Sequence, residues 1–303
     1  MGLRKDIKMA WLRFTDGTWP LQSYSRFTHQ LREFPLPKQR DLPEALPEVA
    51  ILTPCKDAVR YLDKFFDLVD ALDYPKDKLH LLLLEGDSVD GTYEKAQRML
   101  DDRKSVYAST KLLRYDTGND YGDGHRSRAE IQWMRRAAIA ACRNRLLDEA
   151  MQTGSAFHLF IDIDLVEIPP ETLKEALRFN APILMANCLI EGTQAVFDLN
   201  AFRYTRPVSD RSADRYVKGG IYQPPKGFFR HYPDFRDGNL IEPLHSVGGT
   251  FLLIRRDVIE AGVDFPEEPF QLHIETEGLS LKASDLGFGS FSAPQLFVVH
   301  GRS

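Results

Sequence analysis

From Val49 onward, short apolar runs alternate with longer segments in which apolar residues recur every three or four positions. The runs have the length of buried strands, and the longer segments have the period of amphipathic helices. A chain that alternates strands with helices forms βαβ units, which place the strands in a mainly parallel sheet flanked by helices. The sequence therefore predicts an α/β fold for residues 48–303.

The predicted strands cover residues 49–53, 79–84, 157–163, 183–189, 251–254 and 296–299. The predicted helices cover residues 58–72, 93–100, 131–151, 171–179, 257–260 and 275–285. Residues 121–127 are glycine-rich and charged, which predicts a mobile segment. Residues 203–243 have no clear period, and so long an irregular stretch in a domain is typical of a binding loop or lid.

The segment before Val49 resists regular structure. Residues 34–47 hold four prolines, which favour an extended connector: Pro35, Pro37, Pro43 and Pro47. Residues 1–33 contain aromatic side chains that can pack as an arm. We therefore predict an N-terminal arm and Pro-rich connector over residues 1–47, followed by a single domain over residues 48–303.

The charge and composition narrow the partners. The formal net charge is −5 and no block of lysine or arginine stands out, which argues against nucleic acid and favours a small-molecule or glycan ligand. No apolar stretch has the roughly 18 to 20 residues that a transmembrane helix needs. Three widely spaced cysteines and the lack of an Asn-x-Ser/Thr sequon predict reduced thiols and a soluble, cytoplasmic protein.

Two aspartates, Asp162 and Asp164, lie at the end of the apolar run at residues 157–163 in the pattern Asp-x-Asp. In a strand, alternate side chains share one face, and open α/β sheets bind ligands at the carboxyl ends of their strands. Two adjacent carboxylates repel each other unless a divalent cation neutralises them. The pair therefore predicts a metal and diphosphate site. The alternative is a capped turn at a solvated strand end.

Polar residues close the other predicted strands. Thr53, Pro54 and Cys55 end the first strand, and Glu85 and Asp87 end the second, where nucleotide-binding folds bind base and ribose. The alternative is ordinary loop chemistry.

Several later residues are candidates as well. Arg136 and Arg143 share one face of a predicted helix with Asn144 beside them, and they can hold a diphosphate or form a solvated basic face. His300 ends the last strand, where its imidazole is either a metal ligand or structural.

Two short motifs precede regular elements. Glu275 and Glu277 lie before and within the first turn of a helix, where acids bind a ligand or simply suit the helix dipole. Gly248 and Gly249 let the backbone approach a ligand closely, or mark a bulge.

Taken in order, these motifs resemble glycosyltransferase family 62, the fungal Golgi mannan-polymerase mannosyltransferases. The resemblance covers residues 49–300 and rests on segments 51–55, 85–92, 135–144, 160–164, 247–253, 273–278 and 298–300. It implies a GT-A fold, Mn²⁺ or Mg²⁺, GDP-mannose as donor, a mannose-containing acceptor glycan and retention of anomeric configuration. It also implies that Asp162, Asp164 and His300 serve the metal, and that Glu275 and Glu277 lie near the reacting sugar.

Other functions stay open at this level. Residues 85–92 also resemble the second-strand loop of inverting GT-A enzymes, in which Glu277 is the candidate base and another nucleotide sugar is the donor. A non-catalytic glycan- or nucleotide-binding subunit with the same fold is a further alternative, and so is a homo- or hetero-oligomer. The fungal family members are anchored in the Golgi, so a Golgi lumen location is expected if an anchor was removed from this sequence.

Overall fold

The computed structural model describes residues 32–118, 129–206, 214–218 and 220–302. The first half alternates strands and helices: β1 (Val49–Cys55), α1 (Leu62–Ala71), β2 (Leu79–Glu85), α2 (Thr92–Asp101), β3 (Ser109–Arg114), α3 (Ala129–Ala150) and β4 (Phe157–Ile161). The second half contains β5 (Leu165–Glu167), α4 (Thr172–Arg178), β6 (Ile183–Ile190), β7 (Arg203–Tyr204), β8 (Val217–Lys218), β9 (Ile221–Tyr222), β10 (Arg230–His231), β11 (Glu242–Leu244), β12 (Phe251–Arg255), α5 (Arg256–Glu260), α6 (Thr276–Asp285) and β13 (Ser290–His300).

Among the described residues, nine strands form the central sheet in the order β11-β13-β6-β12-β4-β1-β2-β3, with β5 beside β13. The parallel pairs are β1 with β2, β1 with β4, β2 with β3, and β6 with β13. Strand β12 runs antiparallel between β4 and β6, and β11 and β5 run antiparallel to β13. Strands β1, β2, β3, β4, β6 and β13 therefore point the same way, which confirms the predicted α/β fold with a mainly parallel sheet.

Both faces of the sheet are covered. Val49 and Ile51 of β1 pack on one side against residues of α1, α2 and α4. Ala50 and Leu52 pack on the other side against residues of α3, α5 and α6. Because alternate residues of β1 face opposite helical layers, every position in the strand favours an apolar side chain. This explains why the first two strands read as continuous apolar runs.

Several boundaries differ from the predictions. Strand β3 was not predicted, because it alternates half-buried and exposed positions at the edge of the sheet. Strand β13 begins at Ser290 and not at residue 296, since a bulge after Ala293 interrupts its pairing with β6. The described residues of the predicted irregular stretch at 203–243 include four short strands and the start of a fifth, β11. The predicted mobile segment 121–127 lies outside the described residues.

The connector before β1 follows the domain surface. Residues 32–48 contain no helix or strand, and Phe34, Leu42 and Leu46 pack against the first core. An N-terminal arm was predicted for residues 1–33, and residues 1–31 of it lie outside the described residues. Among the helices of the described residues, none combines the length and apolar character needed to cross a bilayer.

His158 of β4 is fully buried between the two helical layers, and this has a consequence for stability at low pH. Burial, and then the positive charge of Arg256, lowers the pKa of His158 to about 4. The unfolded chain, with a histidine pKa near 6.5, takes up a proton first. The contribution of His158 to the free energy of unfolding is therefore fully present above about pH 6.5 and is lost as the pH decreases toward 4.

Between pH 7.5 and pH 5 the free energy of unfolding should fall in both proteins. We expect the fall to be about 2 kcal/mol smaller in His158→Gln than in the wild type. The free energy of unfolding is measured by urea denaturation at both values, and the other titrating groups cancel in the difference. Equal losses in the two proteins would contradict the expected protonation of the buried ring.

Candidate functional site

The candidate site lies at the edge where the carboxyl ends of the parallel strands meet. Strand β4 ends at Ile161, and residues 162–164 form the turn into β5. The prediction that residues 162 and 163 extend the strand is therefore wrong. The two aspartates therefore lie in a turn and not in a strand, and the pairing of Leu165 with His300 brings this turn to the end of β13.

Asp164 and His300 form the closest contact across this turn. Nε2 of His300 lies 3.0 Å from Oδ2 of Asp164. Nδ1 of the same ring lies 2.6 Å from the Gly301 carbonyl, and the ring of Phe197 stacks on it at 3.7 Å. Burial lowers the pKa of His300, but the hydrogen bond and charge of Asp164 outweigh it and leave the pKa raised. With Nδ1 engaged by a carbonyl, Nε2 is the nitrogen that faces the site.

Asp162 lies among several other carboxylates. Its Oδ1 is 3.4 Å from Arg143, and the side chain keeps 30% of its exposure. Burial raises the pKa of Asp162 to about 7, and the charges of Asp164, Asp198 and Glu275 add to this against the opposing charge of Arg143. The site thus gathers more negative than positive charge around this residue.

The donor set of Asp162, Asp164 and His300 fits a divalent cation in its chemistry, because it offers carboxylate oxygens, one imidazole nitrogen and uncompensated negative charge. Asp164 and His300 already face each other, whereas Oδ1 of Asp162 faces Arg143. Within the described part of the chain, the only group of three or more such ligands within 4.8 Å of one another lies elsewhere, at His231, Asp237 and Glu242.

Arg143 of α3 is buried and connects three parts of the site. Its guanidinium donates to the Gly249 carbonyl at 3.3 and 3.4 Å, approaches Asp162, and lies 3.2 Å from Oε1 of Glu275. The aromatic ring of Phe160 packs against it at 4.9 Å. Arg143 therefore positions the carboxylates of the site, and its predicted contact with a diphosphate remains a prediction.

Gly249 lies too close to Arg143 to carry a side chain, since a methyl group built on it would lie 2.3 Å from that guanidinium. A methyl group on Gly248 would lie 1.6 Å from Oδ2 of Asp198. The predicted close approach of these glycines to a ligand stays a prediction, and their close neighbours in this structure are the side chains of Asp198 and Arg143.

Asp198 was not predicted from the sequence, because it lies in no motif and follows β6 in a stretch without period. It is buried, and its carboxylate accepts a hydrogen bond from the Thr250 hydroxyl at 2.9 Å. Burial raises its pKa, despite the hydrogen bonds from Thr250 and Asn200. Asp198 is a third acidic group behind the Asp162–Asp164 turn.

We expect Gly248→Ala to lower the free energy of unfolding by about 2–3 kcal/mol, because the new methyl group displaces the Asp198 carboxylate. In an Asp198→Ala background the same change should cost less than about 1 kcal/mol, since the obstructing carboxylate is gone. Chemical denaturation of the four proteins of this double-mutant cycle measures the coupling. A cost that is the same in both backgrounds would exclude this clash as the cause.

Glu275 and Glu277 are both buried at the start of α6. Oε2 of Glu275 lies 3.6 Å from Nε of Arg136, and Oε1 of Glu277 lies 3.3 Å from the same guanidinium. Arg136 also donates to the carbonyl of Ile274 at 3.0 Å. The predicted common face of Arg136 and Arg143 is present, because both arginines reach Glu275.

Glu275 has an unusual backbone conformation for a residue with a side chain. Its φ is +57° and its ψ is −126°, in a region that favours glycine. Its backbone N–H donates to the carbonyl of Pro266 at 3.1 Å, and its own carbonyl accepts from Leu279. These contacts hold the side chain toward the two arginines.

Arg230 of β10 adds a positive group that was missed because it lies in the irregular stretch. It lies 4.0 Å from Oε2 of Glu277, and it stacks 3.7 Å above the ring of Phe202. Burial raises the pKa of Glu277, but Arg136 and Arg230 outweigh burial and leave it lowered. Glu277 is therefore held as a carboxylate.

The predicted nucleotide end of the site is formed by the ends of β1 and β2, where Cys55 pairs with Glu85. Glu85 is buried; its Oε1 accepts from the Ser88 N–H, and its Oε2 has no hydrogen-bond partner among the described residues. The Thr53 hydroxyl donates to the Ile161 carbonyl at 2.9 Å and so ties β1 to β4. Pro54 is half-buried, and burial raises the pKa of the Cys55 thiol to about 12.

Two other predicted residues are engaged in structural contacts. The Asp87 carboxylate accepts hydrogen bonds from the N–H and hydroxyl of Thr117 and from the N–H of Gly118. The Asn144 amide exchanges two hydrogen bonds, each of 2.9 Å, with the backbone of Phe265. Asp87 thus fixes the chain after β3, and Asn144 fixes the chain before α6.

The chain matches one protein-family model and is similar in sequence to several fungal proteins. The family model described as Anp1 matches residues 35–269. The mannan polymerase complex subunit mnn9 of Schizosaccharomyces pombe is 28% identical, over 84% of this chain and 80% of that protein. The mannan polymerase II complex anp1 subunit of the same organism is 25% identical, over 84% of this chain and 64% of that protein. The mannan polymerase II complex ANP1 subunit of Saccharomyces cerevisiae is 22% identical, over 83% of this chain and 54% of that protein.

Solved structures show a related fold. The mannosyltransferase PcManGT from Pyrobaculum calidifontis, in complex with GDP-Man and Mn²⁺, has a TM-score of 0.53 at 14% identity and covers 98% of this chain and 68% of that one. S. aureus TarS 1–349 in complex with UDP-GlcNAc has a TM-score of 0.51 at 14% identity, and the match covers 84% of this chain and 59% of that one. These likenesses establish a fold of GT-A type.

Proposed function

The chain belongs to the Anp1 family, and from this membership we propose that it is a metal-dependent, retaining glycosyltransferase of family 62 that transfers mannose from GDP-mannose to a mannose-containing glycan. The observation that carries the proposal is the pairing of Asp164 with His300 beside Asp162, at the carboxyl edge of a GT-A sheet. That edge is where open α/β sheets bind nucleotides. Mannan polymerase subunits among its relatives support the choice of mannose.

In this proposal Asp162, Asp164 and His300 hold Mn²⁺ or Mg²⁺. When bound, the ion supplies Lewis acidity toward the negative charge that develops on the departing diphosphate. Arg143 keeps Asp162 and Glu275 oriented, and its charge lies close enough to add electrostatic support. In this proposal Oε2 of the buried Glu85, which has no partner among the described residues, accepts hydrogen bonds from base or ribose.

Glu275 and Glu277 orient hydroxyl groups of the reacting sugar. Both are buried, and Oε2 of Glu277 has no hydrogen-bond partner within the described ranges, so it can accept one from a hydroxyl. No protein nucleophile is required, because the acceptor hydroxyl attacks from the face of the leaving group and a phosphate oxygen takes its proton.

The inverting alternative needs Glu277 as a general base. The lowered pKa of Glu277, which Arg136 and Arg230 cause against the effect of burial, makes it a weaker base than an ordinary glutamate, and this supports the proposed retaining reaction. NMR of the product decides this point through the anomeric configuration of the new linkage. An inverted linkage would overturn the retaining mechanism.

The non-catalytic alternative is a binding subunit within a complex of unlike chains, which the relatives' description as polymerase subunits keeps open. The experiment is a thermal-shift panel of GDP-mannose, other GDP-sugars, UDP-sugars and ADP-sugars, with and without Mn²⁺, followed by an assay of donor hydrolysis. We expect stabilisation by GDP-mannose that requires Mn²⁺, together with slow hydrolysis, since ligands that bind the native state stabilise it. Stabilisation without any turnover would favour the binding subunit, and stabilisation by UDP-sugars alone would exclude mannose transfer.

A further inference from the structure

Three potential metal ligands converge outside the site described above. Nε2 of His231 lies 3.6 Å from Oδ2 of Asp237 and 3.6 Å from Oε2 of Glu242. One ligand atom from each of the three residues lies within 4.8 Å of the others. His231 and Asp237 are each somewhat more than one-third exposed, so the cluster is open to solvent on one side.

Glu242 supplies a second, independent observation. Its side chain is 95% buried, and Oε2 has no hydrogen-bond partner among the described residues. Oε1 is already satisfied by the amide of Asn239 at 2.9 Å. A buried carboxylate oxygen without a partner is costly, and proteins compensate such groups by pairing or by metal coordination. Oε2 faces His231, at a distance longer than a hydrogen bond.

We infer that His231, Asp237 and Glu242 form a second cation site, for a first-row divalent metal with Zn²⁺ as the best fit. Ligand atoms about 2.0–2.1 Å from a tetrahedral ion lie roughly 3.4 Å from one another. The two distances of 3.6 Å are close to this value. A donor set of one imidazole and two carboxylates suits zinc, and the open side leaves room for a water as the fourth ligand.

The location gives the metal a structural task. His231 lies in β10, which pairs with β7 in a small separate sheet, whereas Glu242 lies in β11 at the edge of the central sheet. A metal at this point fastens the small sheet to the large one. Neighbouring residues of a strand point to opposite faces, and Arg230, which precedes His231, contacts Glu277. The second cation thus supports the strand that carries Arg230.

The test separates this cation from the one proposed at Asp164. The metal-free full-length Asp164→Asn protein is titrated with Zn²⁺ by calorimetry, and its melting temperature is measured with and without Zn²⁺. We expect one bound Zn²⁺ per chain and a higher melting temperature. Adding Glu242→Gln or His231→Asn should weaken binding by roughly 100-fold or more, since even groups that only support a ligand change affinity 10- to 100-fold.

Asp234→Asn is the matched control. It changes an acid three residues from Asp237 that is paired with Arg236, and it should leave the affinity for Zn²⁺ within about 2-fold. If Glu242→Gln fails to fold by circular dichroism, His231→Asn carries the test, because its side chain is partly exposed. No Zn²⁺ binding by the Asp164→Asn protein, or binding unchanged in His231→Asn, would overturn the inference. Neither result depends on turnover of GDP-mannose.

Discussion

Replacement of Asp164 with Asn is expected to lower Mn²⁺-dependent turnover of GDP-mannose by roughly 1,000-fold or more, because under the proposed function the site loses a charged ligand and with it a correctly held ion. The fold should persist, since Asn has the same shape and Asp164 is partly exposed. The measurement is release of GDP at saturating Mn²⁺, with far-UV circular dichroism as the check on folding.

Glu167→Gln is the control for this change. Glu167 is an exposed acid in β5, three residues further along, and it pairs with β13 only through its backbone. Its replacement should leave turnover within about 2-fold. A second readout follows from the contact with His300, whose pKa the Asp164 carboxylate raises. In Asp164→Asn the ring should titrate at lower pH by NMR. Full activity of the Asp164→Asn protein would show that Asp164 is not part of the active site.

Replacement of Arg143 with Met is expected to cost about 3–5 kcal/mol of unfolding free energy. Methionine fills much of the same volume but carries no charge. Glu275 is then paired with one guanidinium in place of two, and Asp162 loses its ion pair with Arg143. The Gly249 carbonyl loses its two donors as well. Equilibrium urea denaturation at pH 7.5 measures the loss.

Arg145→Met is the matched control for Arg143→Met, because Arg145 is two residues away on the same helix and exposed. It stacks 3.7 Å above the ring of Tyr115, and we expect its loss to cost less than about 1 kcal/mol. If both changes cost the same, the buried network around Arg143 contributes less to stability than its contacts indicate.

The sequence predicted the fold well where the physical signal is local. The apolar runs of β1, β2 and β6 are buried on both faces, and each was placed within two residues. Strand β3 was missed because an edge strand needs no continuous apolar run. The Asp-x-Asp motif was found, but the strand was extended through residue 163 and a turn was given only as the alternative, because the pairing of Leu165 with the distant His300 cannot be read locally.

The candidate site was predicted as a set of positions and not as a set of contacts. Arg136 and Arg143 were identified from their helical spacing, yet nothing local shows that both reach Glu275, more than 130 positions away. Asp198 and Arg230 lie in segments without period, and only the fold brings them to the site. Their signal is burial of a charged group, which a single sequence does not reveal.

The conformation of Glu275 combines backbone strain with buried ion pairs. A left-handed backbone costs a residue with a side chain about 1–3 kcal/mol, and glycine adopts it most cheaply. The two ion pairs that the carboxylate makes with Arg136 and Arg143 offset this cost. A glycine at this position would relieve the backbone but leave two buried guanidinium groups without this partner, so engineering for heat resistance would gain nothing by removing the strain.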